Sequence, residues 1–394
     1  MYVYLDTLIF PSFIVYFTSE CTSNKIFRIL QRQIFGLSNL CHRPIRKMHR
    51  REDKRGLGLV TRQMASILEV ENLQKYYPVR RGILKRTVGY AKAVDGLSFT
   101  VERGETLGLV GESGCGKTTA GRCLLRILEP TGGKILFGDA KTDMLRLSQK
   151  DLKPYRTRMQ MIFQDPHSSL NPRMTVGDIV GEPLKVNNLS QGKELEDRVI
   201  ELIASVGLKP QDGKRYPHAF SGGQRQRIGI ARALSLRPEL IVADEPVSAL
   251  DVSVQAQILN LLAELRSTYS LSYIFIAHDL GVVKHISDRV AVMYLGRIIE
   301  LGPTQSLFHQ PRHPYTEALI SAVPVSNPDK RSHRTRVRIG GDVPNPISPP
   351  TGCYFHPRCR YAKDICKEES PPLKLEAGVQ VACHFSTDLS LRGI

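Results

Sequence analysis

No stretch of this 394-residue sequence is apolar for long enough to span a bilayer. The nearest candidate, residues 1–17 (MYVYLDTLIFPSFIVYF), contains Asp6 and Pro11 and falls short of the roughly 20 residues a spanning helix needs. It also lacks a basic stretch ahead of the apolar run and a small-residue cleavage site, which argues against a secretory signal and for a cytosolic chain. Cysteine is sparse and scattered, eight in all, with Cys115 inside a glycine loop where a disulfide would obstruct ligand binding. A secreted disulfide framework is therefore not expected. Internal repeats and heptad stretches are missing too. Acids are outnumbered, 38 Asp and Glu against 55 Lys and Arg, for a net charge of +17. Much of that excess is local, since residues 1–63 hold eleven Lys and Arg against four Asp and Glu, a surplus of 11 − 4 = 7. Such charge speaks to non-specific partners such as nucleic acid or a membrane surface, and not to fold. At 41% apolar and 24% charged residues, the composition is that of an ordinary globular chain able to bury a core.

The pattern changes at ASILEVENLQKYY, where short apolar runs with turn signals open a domain and place a boundary near Met64. ETLGLVG runs apolar into a glycine loop, and TTAGRCLLRIL beyond it carries apolar residues at helical spacing, so the loop sits at a strand-to-helix junction. PELIVADEP is a short apolar run ending in acids and LSYIFIAHD repeats the pattern, as strands buried on both faces do. Alternating strands and helices predict an α/β sheet with helices on its faces. Residues 175–235 read as mostly helical, most clearly in ELEDRVIELIASVGL and QRQRIGIARALSL. After about Val323 the chain is rich in Pro, Arg and Cys, a loop-rich tail unable to bury much core alone.

GESGCGKT, Gly111–Thr118, fits the pattern G-x-x-x-x-G-K-[ST] in full. Gly111, Gly114 and Gly116 let the backbone, with Glu112, Ser113 and Cys115 between them and Thr119 after, wrap a β-phosphate; Lys117 supplies a point charge and Thr118 a hydroxyl for Mg²⁺. A plain glycine-rich turn is the alternative, and the flanking strand and helix weigh against it. Asp244 ends an apolar strand where it suits Mg²⁺ through a water shell. Glu245 follows at the strand end, where a carboxylate can take a proton from an attacking water. Alone, two such acids equally suit a solvated turn. His278 also ends an apolar run, and its imidazole could bridge a γ-phosphate and Glu245, although a lone strand-end histidine is usually structural. Gln164, in MIFQDP, has an amide able to reach metal or water, or is a turn glutamine. A second glycine pair, in Ser221-Gly222-Gly223-Gln224, leads into a helix, itself a place where backbone N–H groups and the helix dipole favour an anion.

Order and spacing decide among these readings. The loop at 111–118, Gln164, SGGQ at 221–224, ADEP at 243–246, SALD at 248–251 and His278 together resemble an ATP-binding-cassette (ABC) ATPase over residues 66 to about 325, with its Walker A, Q-loop, signature, Walker B, D-loop and H-loop. Phe220 departs from it, standing where the family usually has Leu. The resemblance implies an α/β ABC-type P-loop ATPase domain over residues 64–325, a helical subdomain at about 165–235, and a loop-rich, Cys-containing extension over 326–394. It implies ATP and Mg²⁺ as cofactors, with Thr118, Gln164 and Asp244 around the metal and Glu245, His278 and Gln164 around the reaction. It also implies a head-to-tail dimer in which Ser221, Gly222, Gly223 and Gln224 cap the γ-phosphate held by the partner. An aromatic ahead of Walker A would stack on adenine, and Tyr77 is chosen for this over Tyr76.

The tail narrows the resemblance. HQPRHPYTEALISAVP and GCYFHPRCRYAKDIC are similar to the C-terminal region of ATPase subunits of dipeptide/oligopeptide importers, as is YYPVRRGILKRTVGYAKAVDGLSF ahead of Walker A. This implies import of di- or oligopeptides through two transmembrane permease subunits, with a second ATPase subunit, a solute-binding protein, and peripheral attachment at the cytoplasmic face of the inner membrane. Nickel and oligosaccharide importers are related. Members acting on nucleic acid are the rival, but they typically carry two cassettes, a coiled coil or large inserts, and nucleic acid is not expected as a partner. Cys353, Cys359, Cys366 and Cys383, spaced C-x₅-C-x₆-C-x₁₆-C, suit a [4Fe–4S] cluster or zinc, or are free thiols; similar tails in the family are associated with an iron–sulfur cluster. Cys21, Cys41, Cys115 and Cys123 read as incidental. The leader, residues 1–63, matches nothing in the resemblance, and Met64 as the true initiator is favoured over a basic amphipathic anchor.

Overall fold

The computed structural model describes residues 9–10, 13–14, 66–82, 86–323 and 337–394. The chain divides into two compact units, Met1–Thr61 and Arg62–Ile394. Of the first, only Ile9–Phe10 paired antiparallel with Phe13–Ile14 is described, so the reading of residues 1–63 as a leader or start-site artefact lies outside the described residues. Among those residues no helix is long and apolar enough to cross a membrane.

The second unit is built on a mixed sheet. Its centre is five strands, β3 (Thr106–Val110), β6 (Met159–Ile162), β7 (Leu240–Asp244), β8 (Ser272–Ala277) and β9 (Arg289–Tyr294), in the order β9-β3-β8-β7-β6 and all parallel. Every residue of β3, β7 and β8 is buried, because the sheet is covered on both sides. On one side Leu107, Leu109, Leu240, Val242, Ile274 and Ile276 share a core with the antiparallel strands β1 (Ser66–Arg81), β2 (Arg86–Glu102) and β4 (Gly132–Phe137), and with helix α1 (Lys117–Leu124). On the other, Val110, Ile241, Ala243, Tyr273 and Phe275 share a core with helices. The period-two alternation of a strand thus feeds two cores at once, which is why the sequence reads as unbroken apolar runs.

Between β6 and β7 the described elements are helical, the single turn α3 (Pro166–Ser169) and chiefly α4 (Val176–Val186), α5 (Gly192–Ser205) and α6 (Gly222–Leu234); the β-strand β5 (Thr142–Asp143) and helix α2 (Gln149–Arg158) precede β6. The helix α7 (Val252–Tyr269) joins β7 to β8, with Asp251 capping its N-terminus by accepting from the Val254 amide. Past β8 come α8 (Leu280–Ile286), β10 (Arg297–Pro303), α9 (Thr304–His309) and α10 (Pro314–Ser321).

The tail is less loop-like than its composition predicts. After α11 (Asp364–Glu368), strands β11 (Lys374–Glu376) and β12 (Val379–Val381) pair with each other, and β12 pairs antiparallel with β10 in the register Glu300↔Val381. The tail therefore extends the main sheet and borrows its core, with Phe355, Cys366, Val379 and Val381 buried. Proline and charge counts describe what the tail could do alone; docking to an existing sheet edge removes that limit.

His313 anchors this junction. It is fully buried, caps α10 by accepting at Nδ1 from the Tyr315 amide at 3.0 Å, and lies 5.6 Å from the Phe355 ring. Burial pushes its pKa down to about 3, so the folded chain holds it neutral while the unfolded chain protonates it near 6.5. Stability from this group is present above pH 6.5 and lost as pH falls below it. We expect the stability advantage of the wild type over His313→Asn, which keeps a capping side chain, to shrink by on the order of 1 kcal/mol between pH 7.5 and 5.5, measured by denaturant unfolding at the two pH values.

Candidate active site

Parallel strands end on the same side of a sheet, and the residues after their carboxyl ends form a crevice. The loop 111–116 follows β3, Gln164 lies just past β6, Asp244 ends β7 with Glu245 next after it, and His278 follows β8. Sequence positions more than a hundred apart are thereby placed along one edge.

The loop's shape rests on its glycines. A Cβ on Gly116 would stand 1.9 Å from the Ala93 carbonyl oxygen, and Gly114, at φ 80°, has nothing within 4 Å of where a Cβ would be. One is fixed by close backbone approach, the other by left-handed conformation beside open space. Helix α1 starts immediately after, at Lys117, with no side chain capping it, leaving first-turn N–H groups for an anion. Lys117 is buried and its Nζ donates to the carbonyls of Gly111 at 2.8 Å and Glu112 at 3.0 Å. Ser113 is exposed, Thr119 half-buried, and Cys115 buried with its thiol pKa raised by that burial.

Thr118 Oγ1 donates to Asp244 Oδ1 at 2.9 Å. Asp244 is 1% exposed, and its Oδ2 is buried with no hydrogen-bond partner. Burial raises its pKa, against the Thr118 hydrogen bond. An unpartnered carboxylate oxygen beside a hydroxyl is a hard oxygen donor set, and it fits Mg²⁺.

Glu245 collects the next two residues. Its Oε2 accepts from Gln164 Nε2 at 3.1 Å and lies 3.1 Å from His278 Nδ1. A carboxylate only accepts, so Nδ1 is the donor in this contact. Glu245 and His278 line an open cavity of about 50 Å³, room for a water beside the carboxylate.

The signature forms its own hydrogen-bonded turn. Ser221 caps α6 through a reciprocal pair, its amide donating to Gln224 Oε1 at 3.1 Å and its hydroxyl accepting from the Gln224 amide at 3.4 Å. Among the described residues no hydrogen bond or ion pair joins Ser221–Gln224 to the loop 111–118. Gly222 and Gly223 differ in surroundings. A Cβ on Gly222 would meet Leu250 at ordinary contact distance, 3.4 Å, whereas one on Gly223 would stand 2.4 Å from Val254 Cγ1.

Tyr77 is 38% exposed on β1, with Lys75 Nζ 5.1 Å from its ring centre. Tyr76 is engaged instead, donating to Asp95 and lying 5.7 Å from Lys92 Nζ. Cys353, Cys359, Cys366 and Cys383 line one cavity of about 20 Å³ in the tail. Burial pushes the Cys353 thiol up to about 11 and the Cys383 thiol up to about 12. Among the described residues no three His, Cys, Asp or Glu side chains stand as a metal-binding group. Sequence reasoning missed Tyr315, whose hydroxyl accepts from the Glu112 amide at 2.9 Å; a contact across 203 positions leaves no local signal.

The ABC transporter family description matches residues 94–248, and the description of the oligopeptide/dipeptide transporter C-terminal region matches residues 299–366. The oligopeptide transport ATP-binding protein AppF of Bacillus subtilis is 54% identical over 322 residues, 81% of this chain and 97% of that protein. The chain belongs to the ATP-binding subunits of ABC transporters. The dipeptide transport ATP-binding protein DppF of Escherichia coli is 49% identical over 324 residues, 82% of this chain and 95% of its own length. Among solved structures, the ATP-binding cassette MJ0796, a dimer bound to ADP and Pi after hydrolysis, is 25% identical with a TM-score of 0.53, covering 60% of this chain and 98% of that one. CbiO1 of Clostridium perfringens, part of the transporter complex cbiONQ, is 29% identical with a TM-score of 0.52, covering 62% and 90%. As an ABC ATPase the chain is an ATP-hydrolysing transporter subunit that uses ATP and Mg²⁺.

The two signature positions separate a folding role from a surface one. Gly223→Ala should destabilise the chain by about 1–3 kcal/mol through overpacking on Val254. Ser221→Asp should leave the melting temperature near that of the wild type, because aspartate is an equally good cap. Thermal unfolding of both variants checks the pair.

Proposed function

We propose that this chain hydrolyses ATP to drive import of di- or oligopeptides through two permease subunits, in partnership with a second ATPase subunit and a solute-binding protein, while attached to the cytoplasmic face of the inner membrane. The observation that carries the catalytic part is the convergence of Gln164 and His278 on one oxygen of Glu245. Support for the peptide substrate comes from the named relatives and from the tail. A nickel or oligosaccharide substrate would use the same residues.

In this reading the loop 111–119 cradles the β- and γ-phosphates through backbone N–H groups and Lys117, and Tyr77 stacks on adenine. Thr118 and Asp244 hold Mg²⁺, with Gln164 at its edge; the metal, when bound, supplies positive charge against the phosphates. Glu245 accepts the proton of the attacking water. His278, donating from Nδ1, and Gln164, donating from Nε2, both hold Oε2 and so fix the carboxylate's orientation. The signature residues Ser221, Gly222, Gly223 and Gln224, which form no hydrogen bond or ion pair with the chain's own loop among the described residues, complete the site of the partner ATPase. ATP then favours the closed dimer and hydrolysis the open one.

Glu245→Gln should retain ATP binding, lower hydrolysis by about 10²-fold or more, and trap an ATP-bound dimer. Hydrolysis measured in the assembled transporter and dimer content by size-exclusion with ATP check this; wild-type turnover by the variant refutes the role of Glu245.

We further propose that the Cys quartet holds a [4Fe–4S] cluster, with zinc as the competing occupant. Support is that Cys353, Cys359, Cys366 and Cys383 all line one small cavity; the side chains must close in to ligate, since among the described residues they do not stand as a metal-binding group. Anaerobically purified protein should carry about four iron atoms and four acid-labile sulfides per chain. Zinc at about one per chain supports the competitor, and neither metal leaves free thiols.

A further inference from the structure

The tail reaches the phosphate loop. Arg358 lies in a short 3₁₀ turn, His356–Arg358, between Cys353 and Cys359. Its Nη1 donates to Glu112 Oε2 at 2.8 Å and its Nη2 to Glu112 Oε1 at 3.1 Å, a bidentate pair. Both partners are largely removed from solvent, the Arg358 side chain 7% exposed and that of Glu112 26%. The guanidinium's other contacts are weaker, Nη1 to the Tyr294 hydroxyl and Nε to the Gly340 carbonyl, each at 3.4 Å. The turn is itself anchored, because Phe355 packs edge-on against Tyr294 at 5.3 Å and Tyr315 at 5.4 Å.

Glu112 is thus held at three points. Its amide donates to the Tyr315 hydroxyl, its carbonyl accepts from Lys117 Nζ, and its carboxylate is clamped by Arg358. Burial opposes the charge on Arg358, but its hydrogen bonds to Glu112 and Tyr294 override it and its pKa is raised, so the guanidinium stays charged beside the carboxylate. A free carboxylate at the second position of an anion-binding loop would repel a triphosphate, and truncating one member of a desolvated charge pair leaves the other charge uncompensated.

We propose that Arg358 is a positioning residue for this chain's own phosphate loop: it neutralises the Glu112 carboxylate and fixes the loop segment to which Lys117 is bonded, so that the C-terminal tail sets nucleotide affinity. This rests on the loop being the nucleotide site. The same tail that continues the main sheet is, on this view, part of the nucleotide-binding machinery.

The full-length chain is titrated with a fluorescent MANT-ATP·Mg²⁺ probe, and the KM and kcat for ATP are measured in the assembled transporter. Arg358→Ala should weaken probe binding and raise KM about ten-fold, with kcat changed less, and the defect should shrink in high salt as the freed charge is screened. Adding Glu112→Gln to Arg358→Ala should restore affinity to within a few-fold of the wild type, because the repelling charge is gone. Should Arg358→Ala fail to fold, Arg358→Lys, which keeps charge but loses the fork, should show an intermediate loss. Wild-type affinity in the Arg358 variants overturns the proposal. So does a double variant as weak as Arg358→Ala, which would mean the tail has merely come undocked. Lys117→Ala separates this from the underlying reading: if wild-type and Lys117→Ala chains bind the probe equally, the loop is not the nucleotide site and both readings fall.

Discussion

The parallel pairing of β6, β7, β8 and β3 is the constraint on which the site depends. Its register sets Ala277 of β8 opposite Val110 of β3, and Ile276 opposite Asp244 of β7, so three strands reach their carboxyl ends level with one another. Each strand is then free to deliver one polar residue just past its last buried one. Parallel strands must be buried on both faces, and the two cores on either side supply the packing that holds the register. A slip of one residue in β7 would exchange Asp244 for Ala243 at the strand end and turn the apolar set toward the wrong core.

Burial at that edge does a second thing. Asp244 is taken almost wholly out of water with one oxygen satisfied by Thr118 and one unsatisfied, a state that costs free energy unless a cation or proton compensates. Glu245, one residue on, is tethered by Gln164 and His278 and keeps its side chain 14% exposed. Adjacent carboxylates thereby receive different partners, the first a hydroxyl and an open lone pair, the second an amide and an imidazole.

Most of this edge was legible. Apolar runs closing on a polar residue, as in LIVADEP and FIAHD, announce buried parallel strands, and the glycine pattern of GESGCGKT announces the loop between strand and helix. The pairing of His278 with Glu245 was foreseeable only through the order of motifs, since a strand-end histidine is not diagnostic alone, whereas Gln164 was expected at metal or water and its bond to the same carboxylate was not. Three features were not legible. That Gly223 is needed against Val254 depends on how α6 crosses α7, which no local pattern encodes. The tail's strands β11 and β12 are too short and too rich in Lys, Glu and Gln to announce themselves, and exist because the edge of β10 offers unpaired backbone groups. The contact of Arg358 with Glu112 spans 246 positions and depends on that docking, so composition alone could label the segment only as a basic, cysteine-bearing tail.

The backbone at Glu245 shows how the site is kept in place. Its φ is 45°, a left-handed conformation that costs a residue with a Cβ about 1–3 kcal/mol and persists only where the surroundings over-determine it. Those surroundings are visible: its amide donates to the Ile276 carbonyl of β8 at 3.0 Å, and its own carbonyl accepts from the Ser248 hydroxyl at 3.1 Å and the Ser248 amide at 3.3 Å. The neighbouring strand thus holds the residue at the point where an extended β7 would otherwise carry the side chain onward. That turn lets Glu245 share one edge with His278 and Gln164, while Asp244 remains in the strand and faces Thr118. Without the bend, consecutive side chains of an extended strand would point to opposite faces, and the two carboxylates would not serve a single crevice. The parallel register therefore supplies both the common edge and the hydrogen bond that turns the chain at it.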